Sequence, residues 1–254
     1  MDVVWFVLFA VLLAGYFALE GFDLGVGLLL PFLGHTRQDK DRVVAAIAPF
    51  VLANEVWLVA VAGTLFGVYP MLEGPVLFGL YPLVVAMLLS WILRDAGLWF
   101  RRRLDGDGWQ RFWAAMISVG SLGLSFGWGM TLYAAASGFR APLLHPVGLM
   151  TGLVVTGLFA FHGWTFLGWR LPGFLGLGAD RSVRALLVSG VLAAAPALVV
   201  LVGAAPFLMD SSAPASTLSV LSVMALPFAP IALLAQVWVW RTFRGGAVRT
   251  PSFF

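Results

Sequence analysis

Three carboxylic acids and one amide stand inside stretches otherwise apolar enough to cross a bilayer. Glu20 and Asp23 lie in the run Glu20-Gly21-Phe22-Asp23-Leu24-Gly25-Val26-Gly27, and Asn54 and Glu55 in Asn54-Glu55-Val56-Trp57-Leu58. Ionisable groups at membrane depth usually mark a site or a pathway, and a carboxyl held away from water can take and release a proton reversibly. Asp23, Glu55, Asn54, Trp57 and Glu20 are therefore candidates for a proton path or for residues near a quinone head group. Glu20 and Asp23 share a helix face at a spacing of three, as do Asn54 and Trp57. Gly21 and Gly25 make a small-xxx-small pair, and Gly25 with Gly27 keeps the neighbouring surface thin, so a second backbone can approach where the polar groups sit. The structural alternative is that the acids hold a helical pair together through hydrogen bonds to Asn54 and backbone.

The elements that position these residues follow from composition. Of 254 residues, 61% are hydrophobic and 11% charged, and the mean hydropathy is +0.97, far from a soluble domain with roughly a quarter charged residues. The fold class is an all-α, polytopic membrane helix bundle. Apolar runs of roughly 20 residues, enough for about 30 Å of hydrocarbon, predict seven helices near 4–33, 44–68, 75–99, 112–136, 146–169, 183–208 and 217–240. The first four make one bundle over 4–136, and 146–240 an incomplete second one within a single membrane domain. In the first hairpin Asp23 lies 16 residues before Asp39 and Glu55 lies 16 after it, so the two carboxyls reach about the same depth.

Fourteen of the fifteen basic residues fall at one set of helix ends: Arg37, Lys40 and Arg42, then Arg94, Arg101, Arg102, Arg103 and Arg111, then Arg170, Arg181 and Arg184, then Arg241, Arg244 and Arg249. The opposite ends, near Glu73 and Asp210, carry Arg140. The positive-inside rule puts the N-terminus outside and the C-terminus in the cytoplasm. The pI of 9.8 thus reflects orientation and not nucleic-acid binding. The first span follows only Met1 and Asp2 and lacks the charged region of a cleaved signal, so it is expected to be a retained helix. Without cysteine the chain offers no disulfide or thiolate chemistry.

Gly21-Phe22-Asp23-Leu24-Gly25-Val26-Gly27, Ala48-Pro49 and Asn54-Glu55-Val56-Trp57-Leu58 resemble subunit II of cytochrome bd-type quinol oxidases. Pro146-Val147-Gly148-Leu149, His162-Gly163 with Phe166-Leu167, and Pro206-Phe207-Leu208-Met209 before Ser211-Ser212 continue the series in order. The resemblance implies a subunit of a bacterial cytoplasmic-membrane terminal oxidase that oxidises quinol and reduces dioxygen to water, not catalytic alone. It further implies that haems b and d belong to a haem-bearing subunit I, that this chain packs against that subunit, and that it can hold a quinone or line a proton route. Its other partners would be lipid and a small single-helix accessory subunit. The family's subunit II has nine helices, which makes the present seven a shortened version with the difference after the fifth. Where the family carries Trp-Asp and then Gly before the Asn-Glu motif, this chain has Val51-Leu52 and Ala53, so that acidic proton-path group has no counterpart here. Glu20 occupies a position that varies in the family.

The chain's own histidines read as structural. His145 precedes Pro146 and suits a helix cap; His162, about two turns from Arg170, suits a buried hydrogen bond; His35 is in a loop. Hence no haem and no metal is assigned to this chain. Trp5, Tyr69, Trp99, Trp109, Tyr133, Trp169, Trp238 and Trp240 are expected as interfacial anchors, and Arg101-Arg102-Arg103 as an orienting cluster with anionic-lipid binding as a second role. Pro196, Pro206, Pro227 and Pro230 are expected to interrupt the last two helices, which keeps an independent proton-coupled transporter as the alternative function. Against that stands the absence of an inverted repeat. A retinal protein would need a lysine within a helix, and the single lysine, Lys40, is in a loop.

Overall fold

The computed structural model describes residues 1–33, 36–174 and 182–243; His35, Arg181, Arg244 and Arg249 lie outside the described residues. The chain forms α1 (Asp2–Leu33), α2 (Arg37–Val68), α3 (Tyr81–Phe100), α4 (Asp107–Ala136), α5 (Pro146–Arg170), α6 (Val183–Asp210), α7 (Ala215–Ala225) and α8 (Phe228–Thr242). The first six are long and apolar enough to cross a membrane, and α7 and α8, bent by 40° at their junction, reach that length and apolarity only when taken together.

Local chemistry explains where the helices depart from the expected spans. α2 starts seven residues earlier than its apolar run because Thr36 and Asp39 form a reciprocal capping box: Thr36 Oγ1 accepts from the Asp39 amide and the Asp39 carboxylate accepts from the Thr36 amide. Two otherwise orphaned N–H groups are satisfied, which carries the polar residues 37–42 into the helix. The third span is divided, with a π turn over Pro75–Gly79 ahead of α3. The expected helix at 217–240 is two pieces, because Pro227 has no N–H to donate and its ring crowds the preceding turn. Pro196 and Pro206, in contrast, sit inside a continuous α6 and do not interrupt it.

α1 is the central helix. From Glu20 to Gly27 every residue is buried, a pattern that requires neighbours on all sides, and α2, α4, α5 and α6 supply them. Its crossing with α5 is a backbone contact: a Cβ on Gly25 would lie 1.8 Å from the Phe159 carbonyl oxygen, and one on Gly163 would lie 2.4 Å from the Gly25 carbonyl carbon. α3 is held mainly by α4, where a Cβ on Gly120 would meet the Ser90 carbonyl oxygen at 2.3 Å. Val59 on α2 and Val191, Val199 and Val202 on α6 face outward and exposed, as hydrocarbon-facing surfaces do.

The aromatic residues divide. Trp238 is exposed, whereas Trp5 and Tyr69 are buried in the bundle and are core, not outward-facing anchors. Trp5 Nε1 donates to Ser222 Oγ at 3.2 Å and so ties α1 to α7. Trp240 packs at 4.8 Å from Phe50 and 5.8 Å from Phe22, with Phe22 stacked on Phe166 at 4.1 Å. Arg101 is also more than an orienting charge: it is buried and pairs with Asp41, fastening the end of α3 to α2.

Candidate functional site: a buried carboxyl network

Two polar groups, one helical turn apart on α1, occupy the apolar interior. Around Asp23, the Asn54 side-chain amide donates to Asp23 Oδ2 at 2.7 Å and to the Leu19 carbonyl at 3.1 Å. Asn54 Oδ1 accepts from Gln236 Nε2 at 2.9 Å, and Gln236 Oε1 accepts from Trp57 Nε1 at 3.4 Å. This order alternates donor and acceptor at every step. The reverse orientation of the Gln236 amide, which reaches Ala53 O at 3.3 Å and Trp240 Nε1 at 3.1 Å, sets its oxygen against Asn54 Oδ1 and so opposes two acceptors; the first arrangement is the better one. α8 therefore reaches the α1–α2 pair through Gln236.

Around Glu20, Arg94 of α3 is the centre. Its Nη1 lies 2.5 Å from Glu20 Oε1, 3.2 Å from Glu55 Oε1 and 3.6 Å from Asp95 Oδ1. Trp91 Nε1 donates to Glu55 Oε1 at 3.1 Å. Arg94 and Glu20 are buried, Glu55 nearly so, while 30% of the Asp95 side chain is exposed. The group thus opens to the protein surface beside Asp95. Three carboxyls, Glu20, Glu55 and Asp95, face a single guanidinium, with the Asp23 carboxyl one turn away on α1. Glu20 Oε2, Asp23 Oδ1 and Arg94 Nη2 are buried and make no hydrogen bond among the described residues. An isolated buried charge is expensive and a paired one much less so, which is why Arg94 belongs in the interior. A network with a cation, several acids and spare lone pairs can redistribute protons.

The hairpin thus brings Asp23 level with Asn54, and Glu20 level with Glu55. Trp57 turns to the Asp23 side and its ring covers Gly15, where a Cβ would lie 2.2 Å from Cζ3. The three packing glycines meet different neighbours: Gly21 the Phe159 ring, Gly25 the α5 backbone, and Gly27 the Ser121 hydroxyl of α4. Arg94, counted from the sequence among the orienting charges near a loop, is corrected to an interior ion-pair residue. Trp91, Asp95 and Gln236 also escaped notice. The available signal was Trp91, Arg94 and Asp95 at i, i+3 and i+4, one polar face inside the apolar run 81–100.

The two described histidines, His145 and His162, bond to protein groups. His162 Nδ1 is 2.7 Å from Ser189 Oγ and Nε2 is 2.8 Å from the Ala18 carbonyl, so neither ring nitrogen is left for iron. Arg170 is not its partner: that guanidinium lies over Phe50 at 5.6 Å and donates to the Phe243 carbonyl. His145 caps α5, its Nδ1 accepting from the Val147 amide at 3.2 Å and lying 2.8 Å from the Tyr133 hydroxyl. Of the two, only His162 has both ring nitrogens occupied, which leaves it no free nitrogen for axial ligation.

A model of the family described as cytochrome bd terminal oxidase subunit II matches residues 1–209. Cytochrome bd-I ubiquinol oxidase subunit 2 of Escherichia coli (strain K12) is 31% identical over 203 residues, which cover 72% of this chain and 53% of that protein. Cytochrome bd ubiquinol oxidase subunit 2 of Bacillus subtilis (strain 168) is 33% identical over 198 residues, covering 72% and 57%. A probable cytochrome oxidase subunit 2 of Haemophilus influenzae is 28% identical over 179 residues, covering 65% and 47%. The chain spans about half the length of the curated relatives it matches. With both acidic motifs of α1 and α2 inside the matched region, the chain belongs to the cytochrome bd terminal oxidase subunit II family.

Proposed function

We propose that this chain is the supporting, haem-free subunit of a cytochrome bd-type quinol oxidase in a bacterial cytoplasmic membrane. A haem-bearing subunit I beside it oxidises quinol and reduces dioxygen to water, and the haems b and d belong to that partner. The observation that carries this reading is the family match over residues 1–209. The commitment of His162 to Ser189 and Ala18 supports placing the haems elsewhere. The cationic helix ends at Arg37, Lys40, Arg101 and Arg111 face the cytoplasm in this reading, and the N-terminus lies outside. A bound quinone and a single-helix accessory subunit belong to the same proposal.

Within the subunit, Glu20, Asp23, Asn54, Glu55 and Trp57 form a proton-handling or quinone-facing group. Arg94 neutralises part of its charge and Asp95 forms its opening. What supports this is the excess of carboxyls over cations in a buried setting together with the unsatisfied oxygens of Glu20 and Asp23. Gly21, Gly25 and Gly27 set the close packing that holds it.

The test is spectroscopic. The chain purified with its native neighbours gives reduced-minus-oxidised haem bands, and the chain alone gives none; haem retained by the isolated chain overturns the proposal. In the complex, Asp23→Asn lowers quinol oxidase activity more than Glu73→Gln, a change in an exposed outer connection. Equal activity of the two variants removes Asp23 from the site.

A further inference from the structure

At the end of the bundle where α2 and α4 begin, their first turns and the segment leaving α3 line a surface-open cavity of about 230 Å³. Four cations line it, Arg37, Lys40, Arg101 and Arg111, and Asp107 is the lining acid. Two of the cations are matched: Arg37 by Asp105 at 2.8 Å and Arg101 by Asp41. Lys40 and Arg111 have no ion-pair partner among the described residues, Asp107 included. The start of α4 adds a further positive element. Its N-cap, Gly106, has no side chain to accept from the first-turn amides, so those N–H groups and the positive end of the helix dipole remain available to an anion. α2 offers fewer such donors, because the Thr36 side chain already accepts from the Asp39 amide. The volume is roughly that of eight waters, room for a phosphate group with a hydrated edge. The end of the bundle that holds the cavity carries the clustered cations, where a lipid headgroup and a soluble anion both have access.

We propose that this cavity binds a phosphate-bearing anion, with Lys40, Arg111 and the α4 N-terminus as the recognising groups and the Arg101–Asp41 pair as the rigid wall behind them. Lipid phosphodiester and free phosphate present the same chemistry to the site, and the experiment separates them. The inference concerns this chain's own residues and does not rest on the oxidase reading.

The protein purified with its native neighbours is titrated with phosphatidylglycerol and, separately, with phosphatidylcholine of the same acyl chains, and bound lipid is counted by native mass spectrometry. Inorganic phosphate is then added as a competitor. The expected result is preferential retention of phosphatidylglycerol. Each cation near a membrane surface changes anion affinity by about fivefold, so Lys40→Gln with Arg111→Gln weakens retention roughly 25-fold. Arg103→Gln is the control: this exposed residue bonds the Trp99 carbonyl and stands outside the cavity wall, and its loss costs at most the general, about fivefold effect of one surface cation, well short of the roughly 25-fold of the double variant. Displacement of the lipid by millimolar phosphate identifies the soluble anion as a competent occupant, and lipid retention that resists phosphate identifies the headgroup; either supports the site. Equal retention of the two lipids with no effect of phosphate overturns it. So does a double variant that unfolds at the parent temperature and binds like the parent, or an Arg103 variant that loses as much.

Discussion

Removing the Arg94 guanidinium is the sharpest test of why a cation lies inside the bundle. Arg94→Gln keeps a polar side chain of similar reach but leaves Glu20 and Glu55, now 2.5 and 3.2 Å from a charged Nη1, without their counter-charge. Unit charges about 3 Å apart at an effective dielectric of about 20 attract by about 5 kcal/mol, and burying the ions offsets much of that gain. The pair as a whole therefore adds little net stability, while removal of one partner strands the others. With Arg94 and Glu20 both almost wholly buried, the expected loss is about 3–5 kcal/mol, near the upper end of single-substitution effects. The measurement is thermal or chemical unfolding of the purified protein in one fixed detergent, run as a double-mutant cycle with Glu20→Gln. The cycle should show a coupling of at least about 1 kcal/mol, with the double variant more stable than Arg94→Gln alone. If Arg94→Gln unfolds within about 0.5 kcal/mol of the parent, or the two changes simply add, the ion-pair account of the α1–α3 contact is wrong.

Two further outcomes follow from packing and from titration. Gly25→Ala places a methyl 1.8 Å from the Phe159 carbonyl oxygen, so α1 and α5 must separate, at a cost of about 1–3 kcal/mol or more; Gly157→Ala, with nothing within 4 Å of the new Cβ, should be neutral or slightly stabilising, and equal melting of the two variants would discount the close crossing. Burial, and after it the charge of Asp2, pushes the Tyr69 hydroxyl from its usual 10 up to about 12. The unfolded chain then releases this proton at a lower pH than the folded one. The stability it contributes is complete below about pH 10 and is lost as pH rises toward about 12. Tyr69→Phe should flatten that alkaline decline, and identical slopes for parent and variant refute the assignment.

The positions of Glu20, Asp23, Asn54 and Glu55 were legible from the chain alone, since acids within apolar runs have few places to go and a hairpin of equal arms sets their depth. Six long helices were legible for the same reason: hydrocarbon demands about 20 apolar residues and internal hydrogen bonding. Proline was the less dependable sign. Pro196 and Pro206 are absorbed inside α6 while Pro227 breaks the last span, because whether a helix survives a proline depends on the neighbours that support its freed backbone groups.

Residue order determined that the first hairpin carries acids at matched depth and that glycines thin its surface, because helical rise and periodicity are properties of the local chain. Only the tertiary structure decided which charges meet. Arg94 reads from composition as one more cation near a loop, yet it lies against Glu20 and Glu55, drawn from α1 and α2, 74 and 39 positions earlier in the chain. Gln236 reads as a polar residue in a late helix, yet it completes the Asn54 network. Local sequence sets the face on which a side chain stands; the assignment of partners across helices comes from close packing around α1 and from the cost of leaving a buried charge or hydrogen-bonding group alone.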